Sequence, residues 1–324
     1  MEWTSSPDPL NERLIGTSPA MVKLKQWVHR LAELDVNVLI EGPSGSGKEL
    51  VAELIHALSN RGNHRWVPIN CGAIPTELFE SELFGHRAGA FTGANEAQLG
   101  LVAMANHSTL FLDEIGELPK KMQVKLLRAL ETQMIRPLGA SEEVSINARV
   151  IAATNQSLDQ LIESGQFRRD LYHRLSVARV TTPALSELGH DLITISERLL
   201  DRVAKRLQLP KKPLSHAAYQ ALAQHPFHGN VRELEHCLTR GLIWSSGPEI
   251  DQAALGLLSE PESVSHQQAR GQEPTMALPE ALEQTERIMI ARALRANGRK
   301  RHQTAAQLGI TERALRYRLR KHGL

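Results

Sequence analysis

A chain of 324 residues, 41% of them hydrophobic, is long enough for one large core with smaller satellite units. A net charge near +2 says little about partners, but eleven Lys/Arg against one acid, Glu312, crowd residues 287–324 and mark a basic tail suited to a polyanion. Two cysteines, Cys71 and Cys237, with no CxxC pair, exclude a disulfide framework and fit a reducing cytoplasm. With no leader pattern at its start and no ~20-residue apolar run, the chain is expected to be cytoplasmic and to span no membrane.

Residues 1–13 read as a short polar extension. Met21, Leu24, Trp27, Val28 and Leu31 recur at helical spacing and predict an amphipathic helix over 14–35. The β-branched run 36–40 predicts a strand, followed by a glycine loop and a helix carrying Leu50, Val51, Leu54, Ile55 and Leu58. Further buried strands are expected over 66–70, 109–112, 149–153 and 177–181, with helices between them. The fold class is therefore α/β, a parallel sheet with helices on both faces spanning about 14–180. After Pro183 the patterns turn helical, with breaks at 210–213, 226–229 and 247–248, which predicts a helical lid over 181–258. Residues 259–277 have linker composition, and 278–324 form a last helical unit.

The loop Gly42, Pro43, Ser44, Gly45, Ser46, Gly47, Lys48 fits G-x-x-x-x-G-K at a strand-to-helix junction. Glycines let backbone N–H groups curl around phosphates, the helix N-terminus adds partial positive charge, and Lys48 reaches the terminal phosphates. Glu49 stands where the general motif has Ser or Thr. About 70 residues on, the apolar run 109–112 ends in Asp113 and Glu114. Asp113 is expected to hold Mg2+, directly or through water, and Glu114 to polarise the attacking water. Asn155, with Thr154 before it, closes the strand 149–153 where an amide can sense a γ-phosphate or align the water. The expected cofactors are ATP and Mg2+, and the expected reaction is hydrolysis.

In the tail, Ala305, Ala306, Leu308, Ile310, Leu315 and Leu319 have the spacing of two helices at a tight turn, with Gly309 in the turn and Thr311 as N-cap. Arg313, Arg316, Tyr317 and Arg320 lie off the apolar stripe and, with Thr304 and Thr311, are the expected DNA contacts. Leu278, Leu282, Ile288, Met289, Ile290 and Leu294 supply either a dimer seam or the inner face of a further helix.

The string Gly89-Ala90-Phe91-Thr92-Gly93-Ala94 follows Ser81-Glu-Leu-Phe-Gly-His86. Two glycines permit a tight tip, and the aromatic between them either meets a partner or folds back into the core. With this string the sequence resembles the AAA+ activators of sigma-54 RNA polymerase, the bacterial enhancer-binding proteins, over about 14–250 and again over 280–324. Glu49 is normal in that family. The resemblance implies that Gly89 to Ala94 touch sigma-54, with Phe91 and Thr92 at the contact. It implies that Arg168 and Arg174 reach the nucleotide of a neighbouring subunit in a ring, by resemblance a hexamer. It gives Asn70 the task of holding the catalytic glutamate away from water and Arg232 that of sensing nucleotide, and it places Arg136 in a second surface loop. The tail resembles a Fis-type helix-turn-helix domain that binds upstream activator DNA.

Only about thirteen residues precede the ATPase region, as in the phage-shock and Hrp-type activators, so control in trans by an inhibitor or co-activator is expected. Two rivals, a repressor that uses its ATPase only for assembly and a general AAA+ remodeller, fit Phe91, Thr92 and the tail less well. The sequence departs from the family at His107-Ser108, where two glycines are usual, at Phe227-His228, usually Trp-Pro, and at Ser186 and Leu188, usually arginines.

Overall fold

The computed structural model describes residues 9–91, 93–257, 290, 294, 301–307, 310 and 312–322. The chain divides between residues 258 and 259 into two compact units. The first opens with α1 (Pro9–Arg13), α2 (Pro19–Glu33), β1 (Val38–Glu41), α3 (Lys48–Ala57) and β2 (Trp66–Asn70). It continues through α4 (Phe79–Phe84), the short pair β3 (Gly85–His86) and β4 (Gln98–Leu99), α5 (Leu101–Met104), β5 (Thr109–Asp113) and α6 (Lys120–Thr132). A second short hairpin, β6 (Met134–Ile135) and β7 (Val144–Ser145), precedes β8 (Arg149–Thr154), α7 (Leu158–Glu163), α8 (Arg169–Leu175) and β9 (Ala178–Thr181). The lid is α9 (Asp191–Leu207), α10 (His216–Gln224), α11 (Asn230–Trp244) and α12 (Gln252–Leu255).

Strands β2, β5, β8, β1 and β9 lie in that order in one sheet, and every pairing is parallel. Successive strand side chains point to opposite faces, so each face needs its own apolar cover. Val38, Ile40, Phe111, Ile151 and Ala153 join one core with α2, α3 and the lid. Leu39, Leu110, Leu112, Val150 and Ala152 join the other, against α4 to α8. The parallel arrangement brings the C-terminal ends of β1, β5 and β8 together, which is where such sheets bind ligands.

The first helix begins later than the periodicity predicts. Pro19 takes the N1 position, and the Ser18 hydroxyl accepts from Met21 N–H at 3.4 Å, while Gly16 has φ +131°. Residues 14–18 therefore approach as a non-helical strap. The expected extension instead contains α1, whose Leu10 is buried with Leu14 and whose Arg13 pairs with Glu53 of α3. Strand β1 begins at Val38 because the Val36 carbonyl accepts from Arg149 Nε (3.2 Å) and the Asn37 side chain from Val150 N–H (3.2 Å). Among the described residues no helix is long and apolar enough to cross a membrane.

In the second unit, helices Arg301–Gln307 and Glu312–His322 enclose a small core of Ile290, Ala305, Leu315 and Leu319, with Leu294 and Ile310 against it. Ile310 N–H closes the turn on the Ala305 carbonyl at 3.0 Å. Ile290 and Leu294 thus pack inward; Leu278, Leu282, Ile288 and Met289 lie outside the described residues.

Candidate active site

The phosphate loop leaves β1 and becomes the first turn of α3, with Gly42 at φ +153°, Gly45 at +73° and Gly47 at +92°. A side chain at Gly45 would meet the carbonyl of Gly229 in the lid, whereas nothing lies within 4 Å of a Cβ built on Gly47. The loop is thus closed against the lid on one side and open on the other. Lys48 is buried, and its Nζ donates to the Gly42 and Pro43 carbonyls, both at 2.9 Å. Burial lowers its pKa, against the pull of Asp113; Arg232 lowers it further and Glu114 raises it.

A cleft of about 260 Å3 runs from this loop to Asp113, Glu114, Asn155 and Arg232, with Glu49 on its wall. Asp113 ends β5, and its Oδ1 accepts from Glu114 N–H at 3.0 Å. Glu114 sits at φ +53°, a left-handed turn that an L-residue adopts at a cost, and this lifts its carboxylate off the strand line. Beside it, the Asn70 Oδ1 accepts from Gly72 N–H (2.8 Å) and Ala73 N–H (3.2 Å), so the amide oxygen is spent on its own turn and no hydrogen bond joins Asn70 to Glu114. Burial, with Asp113 and Glu114 nearby, pushes the Cys71 thiol up to about 12, so it stays protonated and inert. Thr154 is a correction. It is buried, its Oγ1 accepts from Gln156 N–H (3.0 Å), and only its carbonyl touches the loop, at Gly42 N–H (3.3 Å).

The segment carrying Arg168 and Arg174 lies away from this cleft. Arg168 forks onto Asp170 (3.0 and 2.7 Å), and Arg174 donates to the Leu130 carbonyl (2.8 Å); both are exposed. Arg174 shares a crevice with Asp35, Asn37, Asn147 and Val177, which precede β1, β8 and β9 and so mark the opposite edge of the sheet.

The loop between β3 and β4 is pinched at its base by Gly89 N–H on the Ala94 carbonyl (2.8 Å), with Gly89 at φ +80° and Gly93 at +104°. Phe91 is 40% exposed, and its ring centroid lies 5.0 Å from that of His86 in a T-shaped contact. The ring thus leans on the loop's own His86 and is not folded into either core cluster. Ala94 is 6% exposed, which removes it from the expected contact surface; Thr92 lies outside the described residues. The neighbouring β6–β7 hairpin is bonded to this loop's base through Arg87 N–H on the Leu138 carbonyl (3.0 Å) and carries Arg136, paired with Glu143.

Comparison with known families matches residues 14–181 to the Sigma-54 interaction domain, 187–272 to the AAA+ ATPase lid domain and 281–322 to the Fis family of bacterial regulatory proteins. The chain belongs to the sigma-54-dependent transcriptional regulators. Similar relatives include the response regulator protein PilR of Pseudomonas aeruginosa, 42% identical over 98% of this chain and 71% of its own length. The nitric oxide reductase transcription regulator NorR1 of Cupriavidus necator is 41% identical over 92% of this chain and 61% of its own. The crystal structure of NtrX from Brucella abortus in complex with ADP superposes with a TM-score of 0.75 at 32% identity, over 98% of this chain and 70% of that one. The chain thus spans roughly 60 to 70% of the length of these relatives. Its first unit carries the AAA+ ATPase domain of this family of regulators.

Sequence reasoning on this regulator missed three features. An apolar hollow adjoins the phosphate cleft, walled by Leu14, Ile15 and Met21 on one side and Leu188, Ile195 and Leu199 on the other; Gly47, Leu50 and Val231 line both cavities. Asn230, buried at φ +52°, donates to the Ser44 carbonyl (2.9 Å) and accepts from Leu185 N–H (2.9 Å), while Val231 N–H donates to the Gly45 carbonyl (3.0 Å). It lies two residues before Arg232, in the string Gly229-Asn230-Val231-Arg232, and the Arg232 Nη1 reaches Ser44 Oγ at 3.4 Å. Gly72 is the third, since a Cβ there would lie 2.5 Å from Glu114 Oε2.

In the tail, Arg316, Tyr317 and Arg320 are exposed on one helix, as expected. Thr304 is a correction, because it is fully buried and presents no surface to DNA. Thr311 and the Arg313 side chain lie outside the described residues.

Proposed function

We propose that this regulator hydrolyses ATP in the cleft between Lys48 and Asp113–Glu114 and uses the cycle to drive the Phe91 loop against sigma-54, opening the polymerase–promoter complex. The observation that carries the reading is the convergence, at one sheet edge, of a glycine cradle, a buried lysine that has no ion-pair partner among the described residues, and two carboxylates. That donor set fits a nucleotide with a hard divalent cation: oxygen ligands only, beside a loop with open space over Gly47. Mg2+ bound there would neutralise phosphate charge and orient the terminal phosphate. Asp113 would hold it, directly or through water.

The chain's own groups divide the remaining work. The loop N–H groups and Lys48 bind phosphates, Glu114 polarises the water, and Asn155 aligns it. Asn70 shares the Gly72 turn with Glu114 and restrains that carboxylate in one nucleotide state. Arg232, linked to Ser44, reports nucleotide to the lid, and the apolar hollow takes the base. Arg168 and Arg174 complete a neighbour's site, which makes the working form a ring, by family resemblance a hexamer. Arg316, Tyr317 and Arg320 meet upstream activator DNA from the Fis-type unit at 278–324, joined by the linker 259–277 to the lid (181–258) and the ATPase (14–180). An inhibitor or co-activator acting in trans sets the activity, in the cytoplasm where the polymerase works.

The test is sigma-54-dependent open-complex formation in vitro. Lys48→Ala and Thr92→Ala should both abolish it, the second with ATP hydrolysis retained. Normal promoter opening by Thr92→Ala would overturn the contact model.

A further inference from the structure

Asp191 is the first residue of α9 and is 1% exposed. Its carboxylate does not serve its own helix. Oδ1 accepts from Thr17 N–H at 2.8 Å and from the Thr17 hydroxyl at 3.4 Å, and Oδ2 accepts from Ser18 N–H at 2.8 Å, across more than 170 residues of sequence. Burial alone would raise its pKa, but these donors hold the carboxyl below the usual carboxylate range. From the other side, Lys25 Nζ donates to the Gly16 carbonyl at 2.9 Å. Gly16, at φ +131°, leaves room for the carboxylate, since a Cβ there would stand 2.5 Å from Asp191 Oδ2. The segment held in this way is the strap whose first residues, Leu14 and Ile15, line the apolar hollow, and α9 itself supplies Ile195 and Leu199 to the same hollow.

We propose that Asp191 is a positioning residue for the nucleotide base: its carboxylate clamps the strap 14–18 to the lid and so sets the width of the base pocket. This rests on the reading of the cleft as a nucleotide site. The Asp191 contacts involve none of the phosphate-loop residues. Loss of the clamp should loosen the hollow and leave the phosphate cradle intact, so base-bearing and base-free ligands should respond differently. The substitution Asp191→Asn is the sharp probe. It keeps the shape but turns one acceptor into an NH2 that faces a backbone N–H, with no matching lone pair.

The experiment is calorimetric titration of the full chain with ADP and, separately, with inorganic pyrophosphate. Asp191→Asn should weaken ADP about tenfold, the order expected for a lost charge-assisted hydrogen bond, and leave pyrophosphate affinity unchanged. Gly16→Ala, which presses on the same carboxylate, should give the same split and serves if Asp191→Asn folds poorly. Equal losses for both ligands in either folded variant would show general damage and overturn the proposal, as would unchanged ADP affinity. Wild-type protein that bound neither ligand would overturn the nucleotide reading itself.

Discussion

The phosphate cradle and the two exposed arginines, Arg168 and Arg174, are held by different physics. At the C-terminal edge of the sheet, Lys48 is buried with its ammonium on two loop carbonyls, and the left-handed turn at Glu114 is fixed between β5 and the core residue Ile115. Arg168 and Arg174 are exposed, one on Asp170 two residues away and the other on the single Leu130 carbonyl. The cradle is a consequence of the fold and cannot be rearranged without disturbing the core. The arginines are parked on partners that water can replace at little cost, so they are free to take a better acceptor. A phosphate on a neighbouring subunit is such an acceptor.

The strongest way to break this contrast is to show that the arginines act within their own chain. Arg174→Ala should lower ATP hydrolysis by about 10³-fold or more, the scale of an arginine that meets a transferring phosphoryl group. Mixed with Lys48→Ala subunits, which keep the arginines and lack the cradle lysine, it should regain measurable phosphate release. A mixture as inactive as its parents would remove the trans assignment.

The cradle side responds next. Glu114→Gln should cost about 10²–10⁴ in turnover while nucleotide affinity is kept, as for loss of a general base. Gly72→Ala, which crowds the same carboxylate without deleting it, should cost about tenfold by displacing it from the water. An active Gly72→Ala would show that Glu114 has slack in its turn.

A pH titration sharpens the picture of Lys48. Burial holds its pKa down in the free protein, and a bound polyphosphate, being anionic, raises it. Binding therefore favours the protonated lysine and must take up a proton once pH enters the lowered range. ADP affinity should fall as pH rises there, by up to about tenfold per unit, with proton uptake visible as a buffer-dependent binding heat. Flat affinity with no uptake would mean that Lys48 stays fully charged when free.

Most of the sheet was legible in the sequence, because its three central strands, β1, β5 and β8, are short, mostly apolar runs buried on both faces, and these stand out from the amphipathic helices between them. The phosphate loop and the acids were legible for a related reason: each occupies a fixed place at a strand end. The clamps were not. Asp191 meets the 14–18 strap across more than 170 residues, and Asn230 reaches Ser44 across 186, so no local pattern announces either contact. Thr304 misled because a threonine in a basic helix reads as a polar contact, whereas the residue is fully buried. Ala94 misled in the same way, being part of a surface motif yet forming the buried base of its loop.

The smallest effect concerns the approach to the acid-bearing strand, where this chain has His107 and Ser108 in place of the family's usual two glycines. His107 adopts φ +57°, a conformation that costs an L-residue about 1–2 kcal/mol. Glycine there would relieve that cost and lose about 0.5–1 kcal/mol to unfolded-state freedom. Ser108 is 2% exposed, and its Oγ has no hydrogen-bond partner among the described residues, so its hydroxyl is desolvated without return. Its carbonyl, which accepts from Arg61 Nη1 (2.9 Å) and Arg149 N–H (3.0 Å), is untouched by a side-chain change. His107→Gly and Ser108→Ala should therefore each stabilise the protein by up to about 1 kcal/mol, read as a higher urea midpoint at constant slope. Hydrolysis should be unchanged, because β5 keeps its register and Asp113 and Glu114 stay where they are. An unmoved midpoint would mean that this corner is already relaxed. A change in turnover would mean instead that strain before β5 reaches the catalytic acids, and that the cradle is less rigid than the contrast with the arginines requires.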